Sequence, residues 1–247
     1  MTLGKIGGIV RAPLHRATNL WAFLKWRTYL SRGRDANAAD ARGVVPLQSA
    51  ARRDSPALAK LLIAHGASVT VVDEDAGSAL AGAAKFGHRR VAGLLLDRGA
   101  DPNDASGPLH CAISNGHTEL AELLLARGAD ANGRDSHGNT PVHALAEGGP
   151  SWGETAELLL SAGADVKVVN KQGQTPLHLA LADFYIQPDV AVWLIEKGVD
   201  VNARDRSGRT ALDYVNEWSD GSDEHMLVAK ILHSLGAKTG SGESSGQ

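Results

Sequence analysis

The sequence predicts an all-α solenoid of stacked helix-turn-helix units, and three observations predict it. A Gly-Ala-like pair follows a Leu-rich run six times, at Gly66-Ala67, Gly99-Ala100, Gly128-Ala129, Gly163-Ala164, Gly198-Val199 and Gly236-Ala237, with the glycines 33, 29, 35, 35 and 38 residues apart. A second landmark keeps the same beat, at Pro46-Leu47-Gln48, Ala79-Leu80-Ala81, Pro108-Leu109-His110, Pro141-Val142-His143, Pro176-Leu177-His178 and Ala211-Leu212-Asp213. Apolar residues make up 43% of the chain and aromatics only 4%. Ala, Leu and Val must therefore supply most of the packing, which suits close layers of small helices better than one large core.

Each landmark has a physical role. Thr140 and Thr175 stand where an N-cap hydroxyl meets the free amides of a helix, and the proline that follows each suits the first helical position. Leu120, Leu123, Leu124 and Leu125 supply the apolar stripe of a second helix, which Gly128 then stops in a left-handed conformation. Asp135-Ser136-His137-Gly138 suits a tight turn that projects as a finger from the stack. One helix pair cannot bury its apolar face, so its stability comes from neighbours.

Taken together, the two landmarks resemble the ankyrin repeat family, whose unit of about 33 residues is a turn plus two helices marked by T-P-L-H-x-A. The resemblance covers residues 13 to 238 and implies that the finger is a β-hairpin. The basic start of the chain falls into the same register, because Pro13-Leu14-His15 lies 33 residues before Pro46 and Gly33 lies 33 before Gly66. The expected organisation is an arm at 1–12, about seven repeats at 13–238 with the first and last as caps, and a disordered Gly/Ser-rich tail at 239–247. In the first repeat, Leu20, Phe23, Leu24, Tyr29 and Leu30 are expected to face the next layer, with Lys25, Arg27 and Arg32 outside.

Departures from the pattern mark the irregular places. Asn103 to Pro108 spans five residues where Asn132 to Pro141 spans nine, so the fourth finger has lost four and the finger row has a notch. Repeats five to seven are lengthened between their helices, at Gly148–Gly153, near Tyr185–Pro188 and at Ser219–Glu224. Loops that vary within an array often mark a binding side.

Charge narrows the function. The net charge is −3, and the first 34 residues hold seven basic residues and no acid, so the rest of the chain is net acidic. That balance argues against a dedicated nucleic-acid binder. The alternative it leaves open is binding to nucleic acid or an anionic membrane surface through the basic N-terminal cap and Arg52-Arg53. The single cysteine, Cys111, forms no internal disulfide, no secretory signal is present, and no run of 18 apolar residues suggests a membrane span. A cytoplasmic, monomeric protein is expected, with a targeting role for residues 1–12 as the alternative to an arm.

Catalytic and cofactor chemistry finds no support. His110, His143 and His178 are signature histidines one repeat apart, and His88 and His117 follow Gly, so all five read as structural. No zinc-ligand cluster, phosphate-binding P-loop or nucleophile elbow occurs, and Cys111 falls on a first helix as a buried small hydrophobe. Asp220–Glu224 lacks the alternating ligands of a calcium loop. No enzyme activity, cofactor or metal is expected.

The resemblance implies a protein or peptide partner bound on a concave surface of finger tips and first-helix ends. Transferred by register, the candidate partner-binding residues are Arg52, Arg53, Phe86, Asn115, His137, Phe184, Tyr185, Arg206, Arg209 and Trp218. Aromatics and arginine dominate interface energies most often. The longer unbroken patch lies beyond the notch, around Phe184, Tyr185, Arg209 and Trp218.

Overall fold

The computed structural model describes residues 23–40, 44–73, 77–147, 149–182, 186–217 and 223–240. The expected arm, the first helix of repeat one and residues 241–247 lie outside the described residues. Helix α1 covers residues 23–30. After it come α2 (Pro46–Arg52), α3 (Pro56–Ala64), α4 (Ala79–Lys85), α5 (Arg89–Leu96), α6 (Pro108–Ser114) and α7 (Thr118–Ala126). Repeat five opens with a 3-10 helix, His143–Glu147, and a second short one, Gly149–Ser151, before α8 (Trp152–Ser161). The series ends with α9 (Pro176–Ala180), α10 (Pro188–Glu196), α11 (Ala211–Glu217) and α12 (Asp223–Ser234).

The helices stand in two rows. The inner row is α2, α4, α6, His143–Glu147, α9 and α11, each packed on the next, and α3, α5, α7 and α8 stack the same way in the outer row. The second helix of each repeat from two to seven buries a leucine at the corresponding position: Leu62, Leu95, Leu124, Leu159, Leu194 and Leu232. The inner helices answer with Leu47, Leu80, Leu109, Val142, Leu177 and Leu212, all buried. Close approach of the layers rests on small residues, with Ala59, Ala92, Ala121, Ala156 and Ala191 buried in the outer row at the same point of each turn.

The Gly-Ala pair ends each outer helix in one way. Gly128 has φ 91°, and this lets the Ala129 amide reach Leu124 O at 3.0 Å while the Gly128 amide reaches Leu125 O at 3.0 Å. These two bonds define the Schellman closure, which satisfies the last carbonyls and brings Ala129 under the leucine it bonds. The corresponding bonds run from Ala67 to Leu62, Ala100 to Leu95, Ala164 to Leu159, Val199 to Leu194 and Ala237 to Leu232.

An asparagine beyond the glycine ties one layer to the next. Asn132 donates its Nδ2 to Gly163 O at 2.9 Å, and its Oδ1 accepts the Asp165 amide at 2.8 Å. Asn37, Asn103 and Asn202 repeat the clamp on Gly66, Gly128 and Gly236. Thr70 and Lys167 occupy the two corresponding places in between.

The structure modifies three local expectations. The first helix of repeat five is 3-10, with bonds from His143 N to Thr140 O and from Ala144 N to Pro141 O, because Gly148-Gly149-Pro150 follows at once and stops a longer helix. Leu24 is 47% exposed; it lies on the solvent face of α1 with Arg27 and Thr28, whereas Phe23, Trp26 and Leu30 turn inward at helical spacing. Only one finger pairs as a described β-ladder, β1 (Val72–Asp73) with β2 (Gly77–Ser78). In fingers five to seven the strand-like pairing is reduced to one backbone bond across each base, Asp135 N to Asn139 O, Asn170 N to Gln174 O, and Asp205 N to Arg209 O, above a turn closed by Gly138 N to Asp135 O and its counterparts at Gly173 and Gly208.

Leu124 has no exposed surface and lies mid-stack. Leu124→Asp buries a charge without a partner and is expected to cost about 3 kcal/mol or more. Urea unfolding monitored by circular dichroism measures it, and an unchanged midpoint would contradict the layer register.

Candidate functional site

The concave side is built in two tiers. The lower tier is the row of inner-helix ends, where Arg53, Phe86 and Asn115 are the C-cap residues of α2, α4 and α6. Phe86 is 47% exposed and stacks on His88 at 5.9 Å, while Asn115 turns its Nδ2 back to Cys111 O at 2.8 Å. Arg52, one residue before Arg53, is exposed and lays its aliphatic stem across Gly82 of α4, where a Cβ would come within 3.2 Å of its Cγ.

The upper tier is the finger row. His137 and Arg206 sit at exposed tips of the fifth and seventh fingers. These fingers are locked to their neighbours through backbone bonds, Lys171 N to His137 O at 3.0 Å and Arg206 N to Gln172 O at 2.9 Å. Arg134 adds a side-chain tie, donating to Gly138 O within its own finger and to Val169 O of the next. Asp135 accepts the His137 and Asn139 amides, each at 2.8 Å. Burial alone would raise its pKa, but these bonds outweigh burial and hold the carboxyl below the usual range.

Arg209 occupies the base of the seventh finger, where it is held by its own chain. Its guanidinium donates to Tyr214 OH at 2.7 Å and to Glu217 at 3.0 Å, and its Cζ lies 4.2 Å from the Tyr214 ring centre. Tyr214 OH in turn donates to Asp205 Oδ2 at 2.7 Å and accepts from Gln174 at 2.8 Å. This network, centred on a tyrosine that the residue pattern did not single out, stiffens the finger base. Its one advance signal was Asp205 and Arg209 flanking the turn four residues apart. Phe184, Tyr185 and Trp218 lie outside the described residues.

At the notch, the short fourth finger folds back on itself, with Gly107 N bonded to Asp104 O at 3.0 Å. Beside it opens a cavity of about 330 Å³ lined by Ser106, His110, Cys111, Asp135, Ser136 and Glu147 among others. Cys111 is half-buried and its sulfur faces Ser106 O at 3.6 Å. Burial pushes the thiol pKa up despite Lys85 nearby, so it stays protonated. The signature pattern placed it in the core and missed its edge on this cavity.

Comparisons with known proteins decide the family. Models described as ankyrin repeats match residues 14–106 (three copies), 95–144 with 159–215 (many copies) and 137–171. The chain belongs to the ankyrin repeat family. It is 47% identical over 76 residues to an ankyrin repeat-containing protein of Treponema pallidum (strain Nichols), a match covering 30% of this chain and 26% of that protein. The crystal structure of the human ASB11 ankyrin repeat domain superposes with a TM-score of 0.72 at 27% identity, covering 91% of this chain and 97% of that one. Ankyrin repeats are generally protein–protein interaction modules. Among the described residues no helix is long and apolar enough to cross a membrane, and no group of three or more His, Cys, Asp or Glu is placed to hold a metal ion.

The signature histidines of this ankyrin array link layers. His143 Nδ1 accepts the Thr140 amide at 3.1 Å and lies 3.0 Å from its hydroxyl, and Nε2 lies 3.1 Å from Gln174 O of the next repeat. That pattern assigns the neutral tautomer with the proton on Nε2. His178 repeats it between Thr175 and Arg209 O, and burial lowers its pKa. His88 reaches Ala51 O, His117 reaches Lys85 O, and His110 reaches Asn139 O. In repeat two, Gln48 does the same work, accepting the Val45 amide and donating to Gly77 O.

Burial pushes His143 down to about 4. The unfolded chain, at about 6.5, takes the proton first, so folded stability is complete above pH 6.5 and falls as pH drops toward 4. The full drop from this residue is roughly 3 kcal/mol. His143→Gln, which copies the arrangement at Gln48, should keep both bonds and flatten that part of the profile in urea titrations at pH 7 and pH 4. Identical slopes for both proteins would exclude His143 as the titrating group.

Proposed function

We propose that the chain is a non-catalytic, monomeric intracellular adaptor whose repeat domain, residues 13 to 238, binds a protein or peptide on its concave face. One observation carries the reading. Exposed Phe86 stands in a row of helix ends, between Arg53 and Asn115, and farther along the stack the tips of fingers five to seven are fixed to one another by backbone hydrogen bonds. A surface fixed before binding loses little freedom on binding, so complementarity rather than induced order supplies affinity. In register, Arg52, His137 and Arg206 belong to the same face, and Phe184, Tyr185 and Trp218 extend it through repeats six and seven. Arg209 acts there as a support for the finger base.

The experiment starts from the partner retained by the immobilised full chain from its native cell. Phe86→Ala, Phe184→Ala, Arg206→Ala and Trp218→Ala should each weaken that partner's binding by at least ~2 kcal/mol if they are anchors, with helix content unchanged. Undiminished binding by the combined variant would move the site off this face. Loss of helix content in the aromatic variants would make those side chains part of the core.

A further inference from the structure

The finger row follows one bonding rule, and the notch interrupts it. The amide after the turn's Asx residue donates back to the preceding finger, from Lys171 to His137 O and from Arg206 to Gln172 O. Ser136 holds that place in the fifth finger, so its N–H points to where the tip of the fourth finger would stand. The fourth finger is four residues short; it keeps the turn of the others, with Gly107 N on Asp104 O, but its tip is drawn back, and Ser106 O, the counterpart of His137 O, faces the Cys111 sulfur at 3.6 Å. Among the described residues nothing accepts from the Ser136 amide.

The space beside that amide has its own chemistry. Its lining includes Cys111, Ala144 and Leu179, which give an apolar floor, and Asp135 and Glu147 as its acids, with no Lys or Arg. Both Asp135 oxygens accept bonds from their own finger. Glu147, at the end of the 3-10 helix His143–Glu147, is exposed and has no ion-pair partner among the described residues. Outside the cavity, Lys171 is held on Ser136 O at 2.9 Å. A cavity of about 330 Å³ takes a few residues of extended chain and excludes a folded domain.

We propose that the notch is the docking site for an extended segment of a partner protein that takes the place of the missing finger tip. A backbone carbonyl of the segment accepts from Ser136 N–H, and a Lys or Arg on the segment pairs with Glu147. Main-chain bonds to an open edge give such segments affinity, and the pocket side chains give selectivity. This inference rests on the protein-binding reading above and narrows it to one place and one kind of ligand.

The test uses a phage-displayed library of random linear peptides selected on the full chain. Ser136 is the second residue of a turn closed by Gly138 N to Asp135 O, where proline is well tolerated. Ser136→Pro therefore deletes the amide and keeps the turn, whereas Ser136→Ala keeps both. Selected peptides should carry a basic residue and bind wild type and Ser136→Ala equally. They should bind Ser136→Pro and Glu147→Gln about tenfold more weakly, the loss of one good hydrogen bond or ion pair. A variant with four residues inserted after Asp104, which refills the notch, should not bind at all. Melting temperatures of the variants should match wild type. Peptides that bind Ser136→Pro and the insertion variant as tightly as wild type overturn the proposal, as does a selection that yields none. Peptides lost instead with Phe86→Ala or Arg206→Ala overturn the notch and leave the protein-binding reading standing.

Discussion

Contact between successive layers carries this molecule. A single helix pair here buries only a few leucines, such as Leu109, Leu120 and Leu124 in repeat four, far less than is needed to offset the conformational entropy of ordering about thirty residues. Stacking turns those isolated side chains into a continuous seam, from Leu47 and Leu62 at one end to Leu212 and Leu232 at the other. The small alanines of the outer row matter as much as the leucines, because a larger residue at Ala92 or Ala121 would hold the layers apart and leave gaps beside Leu95 and Leu124.

Polar groups at the layer boundaries convert that apolar seam into a defined register. His143, His178 and Gln48 each satisfy groups in two repeats at once, and Asn132 and its counterparts bond two groups of the next layer, so a slide between layers would leave several of them without partners. Both ring nitrogens of His143 and of His178 are engaged in this way. The fingers extend the register to the edge of the stack, so the finger face inherits its rigidity from the core.

Much of this was legible from residue spacing. The beat of the glycines and of the Pro-Leu-His landmark located nearly every described helix, because each landmark answers a local backbone demand that recurs in every repeat. What spacing could not reveal depends on neighbours that differ from repeat to repeat. His143–Glu147 became 3-10 because of the Gly-Gly-Pro that follows, and Leu24 turned outward because the helical phase set by Phe23 and Leu30 left it there. Arg209 belonged by position to the concave face, yet only the folded chain shows its guanidinium bound to Tyr214 and Glu217. The lost residues of the fourth finger were visible as a length, but the unused amide of Ser136 was not, since it follows from the direction of bonds in the next two fingers.

The asparagine clamps carry a mechanical consequence. They join the ends of the outer helices at four boundaries, while Thr70 and Lys167 stand at two others. At those two joints the inner row is still fastened, through Gln48 to Gly77 and His143 to Gln174. Elastic compliance is therefore uneven along the solenoid. Under a pull or a twist, the outer row gives first at the Thr70 joint, because across the Lys167 joint Trp193 Nε1 donates to Glu157 at 3.3 Å and Lys197 pairs with the same carboxylate; the coil opens there about its fingers as leaves turn about a spine.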